Sequence, residues 1–302
     1  MQVTYRADSE GDWGSAAPVA DIETTQEWLT MSDGPRLFCR VWRASSPATV
    51  LILHGLGAHS GWFIDMGNAL AERGLNVWIV DHRGFGRSEG PRGHVTDYHR
   101  YLQDSDAVVD AIHAAQPGTR LVLLGHSMGG IFATHYAAAH PEKLAGMLLL
   151  NPWIKDQSKV SVGTLLEVVI RGMFRSSRLF PLAGGADVMT TNPEAVKLLN
   201  ADPYWVRAES AAFLWQITLM RGKTLSQARR VTLPALVLQA GQDRSVVASA
   251  SEKAFRRLGS ADKTWKTYPT YAHDSEFEPD RSALDDDIAN WIKARNGQPQ
   301  SV

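Results

Sequence analysis

Short apolar segments alternate with segments of helical periodicity along most of the 302-residue chain. The apolar segments are rich in β-branched residues, which is typical of buried strands; they span residues 49–53, 76–80, 121–124, 147–150 and 235–239. The helical patterns between and after them cover residues 62–73, 98–115, 128–140 and 246–258. This order predicts an α/β protein in which helices cover both faces of a mostly parallel sheet. Ligands bind such sheets at the carboxyl ends of the strands, where Asp81, Gly125 and Gly241 fall.

The start of the chain predicts an arm followed by a hairpin. Residues 1–25 carry glycine, alanine, serine and aspartate without periodicity, so we expect a poorly ordered arm. Two short alternating runs, residues 28–31 and 37–42, flank the turn sequence Ser-Asp-Gly-Pro at residues 32–35. Alternating runs around such a turn predict a β-hairpin.

The alternation of strands and helices stops between residues 152 and 233, where helical patterns follow one another. One of them has the spacing of an amphipathic helix face, formed by Val162, Leu165, Leu166, Val169, Ile170 and Met173. We interpret residues 152–233 as a helical cap inserted into a core of residues 26–151 and 234–295. We expect the apolar face of this cap helix to pack on the core. A weak contact with a membrane surface, aided by nearby arginines, is the alternative.

Composition and charge exclude several classes of function. Hydrophobic residues make up 44% and charged residues 21% of the chain, as in ordinary globular proteins. The formal net charge of −1 gives no electrostatic reason to expect nucleic acid as a partner, and a neutral substrate, or one with a small head group, fits better. No run of about eighteen uncharged apolar residues occurs, and the N-terminus lacks the apolar stretch of a secretory signal. A cytoplasmic location is therefore the default, while the oligomeric state stays open.

The sequence patterns indicate no metal or cofactor site. Cys39 is the only cysteine, so an internal disulfide or a zinc cluster is excluded. Because it lies in the alternating run of residues 37–42, we expect it to pack as a small hydrophobic residue. Asp81 and His82 have no third ligand in register. We predict neither a metal nor a cofactor.

The strongest chemical signal is Gly-His-Ser-Met-Gly at residues 125–129, which fits the motif G-x-S-x-G. It follows an apolar strand and precedes a helical pattern, the context in which this motif forms the nucleophile turn of the α/β-hydrolase fold. On such a sharp turn the Ser127 hydroxyl stands clear of the sheet, and Gly125 and Gly129 avoid clashes between neighbouring backbone segments. The motif therefore predicts Ser127 as a nucleophile, with a chance glycine-rich turn as the alternative.

A serine hydroxyl needs a neighbouring base, and this fold places its acid and then its histidine after the serine. Of the histidines beyond the motif, His135 and His140 fall on the helix after Ser127 and cannot reach back to the hydroxyl. His273 lies in a loop after the last predicted strand, residues 263–268, where the base is expected. His126 is adjacent to the nucleophile, but its side chain should point away from the hydroxyl and pack behind it.

Asp243 is the candidate for the acid that orients the base. It follows the strand at residues 235–239, so it should reach the carboxyl edge of the sheet. Asp187 and Asp202 are rivals that lie in the cap, and Asp274 is too close in sequence to His273 to face it easily. We therefore prefer Asp243 to all three.

Two backbone amides are candidates for the oxyanion hole. The Met128 N–H lies at the start of the helix that follows the nucleophile, and helix starts direct free amides at developing negative charge. The second donor should come from a loop after an earlier strand. His-Gly-Leu-Gly at residues 54–57 fits, because its glycines allow a tight loop that leaves the Leu56 N–H free.

These motifs together resemble a known family. The segments at residues 54–60, 81–90 and 125–130, with the late Asp243 and His273, are similar to the monoacylglycerol lipase and lysophospholipase group of α/β-hydrolases, which belongs with the S33-type serine aminopeptidases. The likeness extends from about residue 27 to residue 292. Ser-Glu-Gly at residues 88–90 is more specific to this group than the nucleophile motif, which many hydrolases share.

The resemblance implies a site and a substrate class. It implies Ser127, Asp243 and His273 as the catalytic triad, with Leu56 and Met128 as oxyanion donors. It also implies a helical cap with an apolar tunnel for one acyl chain and a polar exit for glycerol. We therefore expect a serine-dependent hydrolase of a single-chain lipid ester, such as a monoacylglycerol or a lysophospholipid.

Several alternatives use the same residues. A short-chain esterase of broad specificity, a thioesterase, a peptidase and an acyltransferase all use such a triad, and the sequence does not separate them. A dehalogenase or epoxide hydrolase is disfavoured, since those enzymes carry aspartate where this chain has Ser127. A hydrolase-like binding protein without turnover would lack a triad residue, whereas all three are present here.

Overall fold

The apolar segments form the strands of one central sheet. The computed structural model describes residues 22–157 and 160–295. Within these ranges the strands are β1 (Glu23–Thr30), β2 (Arg36–Arg43), β3 (Ala48–Leu53), β4 (Asn76–Val80), β5 (Arg120–His126), β6 (Gly146–Leu150), β7 (Leu179–Pro181), β8 (Ala208–Ser210), β9 (Ala235–Ala240) and β10 (Lys263–Tyr268). Eight of them form the central sheet in the order β1-β2-β4-β3-β5-β6-β9-β10.

The sheet is parallel except at one edge. β2 pairs antiparallel with both β1 and β4, and every other neighbouring pair is parallel. The β1–β2 pair confirms the predicted hairpin. β1 begins at Glu23, so the last residues of the predicted arm, residues 1–25, are in a strand; residues 1–21 lie outside the described part of the chain.

Helices cover both faces of the sheet. They are α1 (Ile64–Glu72), α2 (His99–Ala115), α3 (Met128–Ala139), α4 (Val162–Met173), α5 (Ala186–Met189), α6 (Pro193–Ala201), α7 (Ala211–Ala228), α8 (Ala248–Arg257) and α9 (Ser282–Arg295). Side chains of β3 alternate between two cores: Leu51 and Leu53 pack with α2 and α3, whereas Val50 and Ile52 pack with α1 and α9. This arrangement is the α/β-hydrolase fold, as predicted.

We refer to the segment between β6 and β9 as the cap. It contains α4 to α7, and α7 packs against both α4 and α3. The cap also holds a two-stranded antiparallel sheet formed by β7 and β8, which the sequence did not predict. Each of these strands is three residues long and β7 ends in Pro181, so neither is long enough to show an alternating pattern.

Hydrogen bonds fix the cap to loops of the core. The Val206 amide donates to the Gly57 carbonyl over 3.0 Å, and the Ser210 amide donates to the Gly93 carbonyl over 2.9 Å. The buried Asp202 carboxylate lies 2.9 Å from His59 Nε2. The same carboxylate oxygen accepts from the Trp62 indole over 2.7 Å. The cap is therefore tied to the loops that precede α1 and α2.

The apolar face of α4 points outward. Val162 is 82% exposed and Phe174, just after the helix, is 80% exposed; Leu165, Leu166, Ile170 and Met173 are also exposed. The helix buries only Val168 and Gly172. The expectation that this apolar face packs on the core is therefore wrong. The helix contacts α7 through the face that carries Gly172, where an added β-carbon would come within 2.3 Å of Trp215 Cβ.

The prediction for Cys39 is confirmed. It is fully buried in β2, and burial raises the pKa of its thiol well above the ordinary value. None of the helices in the described ranges combines the length and apolar character needed to cross a bilayer.

Candidate active site

Ser127 lies on a sharp turn between β5 and α3. Its φ of 51° is in the left-handed region that residues with a β-carbon rarely adopt. The turn is held by neighbouring backbone: the Ser127 amide donates to the Leu150 carbonyl over 3.0 Å, and the Ser127 carbonyl accepts from the Trp153 amide over 3.0 Å. The strained conformation is thus stabilised by the end of β6 and the chain that follows it.

The two glycines of the motif allow this turn to form. A β-carbon on Gly129 would lie 2.0 Å from the Leu53 carbonyl oxygen, and one on Gly125 would lie 2.3 Å from the Gly129 carbonyl oxygen. Both distances are far inside van der Waals contact, so neither position accepts a larger residue without a shift of the backbone. The close packing predicted for these glycines is confirmed.

The three predicted catalytic side chains meet at the carboxyl edge of the sheet. His273 Nε2 lies 2.9 Å from Ser127 Oγ, and His273 Nδ1 lies 2.8 Å from Asp243 Oδ2. With Asp243 ionised, Nδ1 carries the proton and donates it, which leaves Nε2 free to accept from the serine hydroxyl. All three side chains are more than nine-tenths buried, so the chain of hydrogen bonds is screened from bulk water.

The electrostatics of the pair favour an ionised acid beside a basic imidazole. Burial acts to lower the pKa of His273, but the charge and the hydrogen bond of Asp243 outweigh it and raise that pKa above its ordinary value. Burial likewise acts to raise the pKa of Asp243. Against it, the charge and hydrogen bond of His273 and the amides of Val246 and Ser245 hold that pKa below its ordinary value. Both amides donate to Asp243 Oδ1 over 2.8 Å.

Met128 and the loop of residues 54–57, which carry the two amides predicted as oxyanion donors, both lie next to Ser127. Met128 is the first residue of α3, and Leu56 lies between Gly55 and Gly57, whose φ is +74°. Within the described part of the chain, neither the Leu56 nor the Met128 amide donates a hydrogen bond to another group. A ring nitrogen of His54 braces the loop by donating to the Gly55 carbonyl over 2.8 Å. Both amides are therefore available to an anionic oxygen.

Asp243, rather than one of the three rival acids, contacts the His273 ring nitrogen Nδ1. Asp202 binds His59 and the Trp62 indole, as described above. Asp274 points behind the base, where its Oδ1 lies 3.6 Å from His126 Nε2, and burial raises its pKa to about 7. Asp187 lines a cavity of about 850 Å³ beside the Asp243 loop.

His126 packs behind the catalytic base, as expected. Its Nε2 donates to the His273 carbonyl over 3.2 Å, and its ring is 5.0 Å from the His273 ring. Burial lowers the pKa of His126 to about 3, so the ring is neutral and does not repel a protonated His273. The helix histidines stay away from the nucleophile, as predicted: His135 contacts Thr224, and His140 ends α3.

Asn151 is a site residue that the sequence did not reveal. It follows β6 with a φ of 46°, a conformation that asparagine tolerates better than most residues. Its Nδ2 donates to the His273 carbonyl over 2.5 Å and to Ser275 Oγ over 2.9 Å, while its Oδ1 accepts from the Ala240 amide over 2.7 Å. One buried side chain thus joins the loop of the base to the strand that leads to the acid. In the sequence, Asn151 and Pro152 indicated only that a strand ends there.

One group of described residues approaches the spacing of a metal site. Ligand atoms of His126, His273 and Asp274 lie within 4.8 Å of one another. However, both ring nitrogens of His273 already contact Ser127 and Asp243. A metal ion there would have to displace one of these partners, so the arrangement fits a triad better than a metal centre.

Comparisons with known proteins agree with this geometry. A family model described as serine aminopeptidase, S33, matches residues 44–280. Human monoglyceride lipase is 31% identical over 274 residues, covering 88% of this chain and 90% of that protein. Monoacylglycerol lipase of Mycolicibacterium smegmatis is 30% identical over 263 residues, covering 86% of this chain and 93% of that protein.

A solved structure shares the fold. The structure of a soluble variant of monoglyceride lipase from Saccharomyces cerevisiae, in complex with a substrate analogue, is similar with a TM-score of 0.82 and 20% identity. It covers 93% of this chain and 99% of that chain. At this identity the likeness speaks for the fold alone. The family model and the two sequence relatives carry the assignment: the chain belongs to the monoglyceride lipase-like serine hydrolases of the serine aminopeptidase S33 family.

Proposed function

We propose that this protein hydrolyses the ester bond of a monoacylglycerol through an acyl-enzyme formed on Ser127. The observation that carries the proposal is the continuous chain of hydrogen bonds from Ser127 Oγ through the His273 ring to Asp243, with lengths of 2.9 Å and 2.8 Å. A hydroxyl becomes an effective nucleophile when a positioned base takes its proton. The raised pKa of His273 supports this role, because the imidazolium that forms is stabilised by Asp243.

In the first half of the reaction, Ser127 Oγ attacks the ester carbonyl carbon while His273 Nε2 takes the hydroxyl proton. The electron pair of the C=O double bond moves onto the oxygen, and the Leu56 and Met128 amides donate to this oxyanion. Each such donor is worth about 3 kcal/mol of transition-state stabilisation. When the intermediate collapses, the bond to the glycerol oxygen breaks, and that oxygen receives the proton from His273.

The second half releases the fatty acid. A water molecule attacks the acyl carbonyl while His273 Nε2 again takes a proton. The second oxyanion collapses, the bond to Ser127 Oγ breaks, and the serine recovers its proton from His273. The net reaction consumes one water and yields glycerol and a fatty acid, so His273 ends in the state in which it began.

Two observations support a lipid ester as the substrate. Relatives that align over most of this chain are named monoglyceride lipase and monoacylglycerol lipase. Met128, next to the nucleophile, belongs to a large apolar cluster that also contains the cap residues Val206 and Phe213, and Leu56 packs against this cluster. An apolar cluster that extends from the cap to both proposed oxyanion donors suits an acyl chain better than a charged or peptide substrate.

The experiment that tests the proposed function is a substrate series on the wild type and the Ser127→Ala variant. Monoacylglycerols of increasing chain length are compared with p-nitrophenyl esters, a thioester, a lysophospholipid and an aminopeptidase substrate. We expect the highest kcat/KM for a medium- or long-chain monoacylglycerol. We also expect Ser127→Ala to lose about 10⁵-fold or more of the rate, since only binding and the oxyanion hole remain.

The other activities are outcomes of the same series. Highest kcat/KM on short esters, the thioester, the lysophospholipid or the peptide would reject the monoacylglycerol and assign that substrate instead. Transfer of the acyl group to an added alcohol faster than hydrolysis would indicate an acyltransferase. A wild type without turnover on any substrate would support the binding-protein alternative.

We further propose that the exposed face of α4 contacts the surface of a lipid bilayer. We define the α4 face as Val162, Leu165, Leu166, Ile170, Met173 and Phe174, all exposed. Arg171 and Arg175 are exposed and close to these residues in the chain, with Arg171 in an ion pair with Glu167, and their positive charge suits phospholipid headgroups. A monoacylglycerol resides in membranes, so contact with a bilayer would bring the active site to its substrate. The cytoplasmic location expected from the sequence stays a prediction.

A further inference from the structure

The loop that carries the catalytic base is bonded directly to the cap. The Asp274 amide, next to His273, donates to the Met189 carbonyl over 2.7 Å. Three residues further along the loop, the Phe277 carbonyl accepts from the Asn192 side-chain amide over 2.9 Å. We call these loop residues, 272–278, the base loop, and cap residues 189–192 the cap segment.

Glu278 lies at the centre of the contact between the base loop and the cap segment, and we call this contact the seam. Its Oε1 accepts from Thr190 Oγ1 over 3.2 Å and from the Thr191 amide over 3.0 Å, and its Oε2 accepts from Thr191 Oγ1. On the other side, Oε1 accepts from the Ala272 amide over 3.3 Å. Glu278 is only 3% exposed. One buried carboxylate therefore holds three donors of the cap segment and the residue that precedes His273.

The physical chemistry of a buried carboxylate makes this seam stiff. An unpaired charge in the interior is costly, whereas hydrogen bonds to an ionised group are stronger than those between neutral groups. A shift of the cap segment away from the base loop would leave Glu278 short of donors. The carboxylate therefore opposes independent movement of the two segments.

The base loop is anchored to the core from the opposite side. Asn151 donates to the His273 carbonyl and to Ser275 Oγ, as described above. The imidazole of His273 is thus held between a core anchor and a cap anchor. Catalysis by a triad depends on distances near 3 Å, and a misplacement of about 1 Å can cost about 100-fold in rate.

We propose that Glu278 is a positioning residue that couples the cap segment to the catalytic base. It contacts neither the substrate nor the reacting atoms; it acts by holding Ala272, and through it His273, in register with the cap. Loss of this coupling should therefore lower kcat more than it raises KM. The proposal rests on the triad proposed above.

A double-mutant cycle on Glu278 and Thr191 tests the coupling. Glu278→Ala removes the carboxylate, and Thr191→Val removes one cap donor while leaving the base loop untouched. We expect kcat to fall about 10- to 100-fold in Glu278→Ala and less in Thr191→Val. In the double variant the loss should equal that of Glu278→Ala alone, because the two residues share one interaction. Glu278→Gln, which keeps an acceptor, should recover part of the rate.

The matched control is Glu194→Ala, which makes the same chemical change as Glu278→Ala at an exposed cap residue whose carboxylate pairs with Lys197. It should keep the wild-type kcat. All rates are divided by the folded fraction measured by near-ultraviolet circular dichroism, so that loss of folded protein does not count as loss of positioning. If Glu278→Ala does not fold, the variant with both Thr190→Val and Thr191→Val takes its place in the test, with a several-fold lower kcat expected.

Three results would overturn the coupling. These are a Glu278→Ala kcat within twofold of the wild type, multiplication of the two single losses in the double variant, and a loss confined to KM. Ser127→Ala is measured alongside. If Ser127→Ala is inactive while Glu278→Ala is normal, only the coupling fails. If Ser127→Ala retains activity, the triad itself fails.

Discussion

Two opposing effects determine the pKa of the single residue His273. Burial disfavours its charged form, and Asp243 favours it strongly enough to raise the pKa above the ordinary value of about 6.5. The neutral ring is the base, so protonation of His273 switches the base off. The acid on its other side thus sets both the orientation of the ring and the lowest pH at which the ring accepts a proton from Ser127.

A pH profile of kcat/KM tests this balance. The rate should fall as the pH decreases through the pKa of His273, with a midpoint above about 6.5 in the wild type. In Asp243→Asn the midpoint should move to lower pH, because the charge that raises the pKa is gone. The rate at neutral pH should fall about 10⁴-fold, by comparison with a measured serine protease triad. A fluorogenic ester gives both quantities.

The control for this profile is Asp286→Asn, a change of the same type at an exposed residue paired with Arg73. Its profile should match the wild type. An Asp243→Asn midpoint that stays at the wild-type pH would mean that another group controls the ionisation.

The sequence marks some residues of the site and conceals others. Ser127 has a motif around it, and Asp243 and His273 each follow a strand near the end of the chain, so local pattern and chain order are enough to predict them. Asn151 and Glu278 have no such marker. Their partners lie 122 and 87 residues away in the chain, and only the folded structure brings them together.

At the scale of elements, the core strands were predictable because both of their faces are buried. β3, β4, β6 and β9 are buried at every position, which produces the continuous apolar runs seen in the sequence. The α4 helix shows the limit of the same reasoning. Its periodicity predicts a helix with one apolar face, but the pattern does not say what that face contacts.

Co-sedimentation with vesicles tests the proposed role of the α4 face. We expect the wild type to bind phosphatidylcholine vesicles that contain phosphatidylglycerol, and to bind less as salt screens the arginines. The variant with Leu165→Asp and Ile170→Asp should lose most of this binding, because it places two charges on the apolar face. Both residues are exposed, so the substitutions should leave the fold intact.

Activity on a water-soluble ester separates membrane contact from damage to the site. The double variant should keep wild-type kcat/KM on a short p-nitrophenyl ester and lose activity on monoacylglycerol in vesicles. As a control, Lys197→Glu changes charge elsewhere on the cap surface and should bind vesicles as the wild type does. Equal sedimentation of the α4 double variant and the wild type would contradict the contact.

For the whole molecule, the alternation of strands and helices identified the class of fold, whereas the order of strands in the sheet did not follow from it. The strand order is β1-β2-β4-β3-β5-β6-β9-β10. It depends on which face of the sheet each helix covers, and long-range packing decides that. The break in alternation between residues 152 and 233 predicted the segment that holds α4 to α7. Its small β7–β8 sheet and its seam with the base loop were not visible, since both depend on contacts between distant short segments.

Covalent labelling of the nucleophile tests the central claim most directly. The wild type is treated with a long-chain alkyl fluorophosphonate, digested and analysed by mass spectrometry. The hydrogen-bonded triad predicts a single phosphonylated residue, Ser127, with no label in Ser127→Ala and much slower labelling in Asp243→Asn. Modification of a different residue, or equal labelling of Ser127→Ala, would contradict the account.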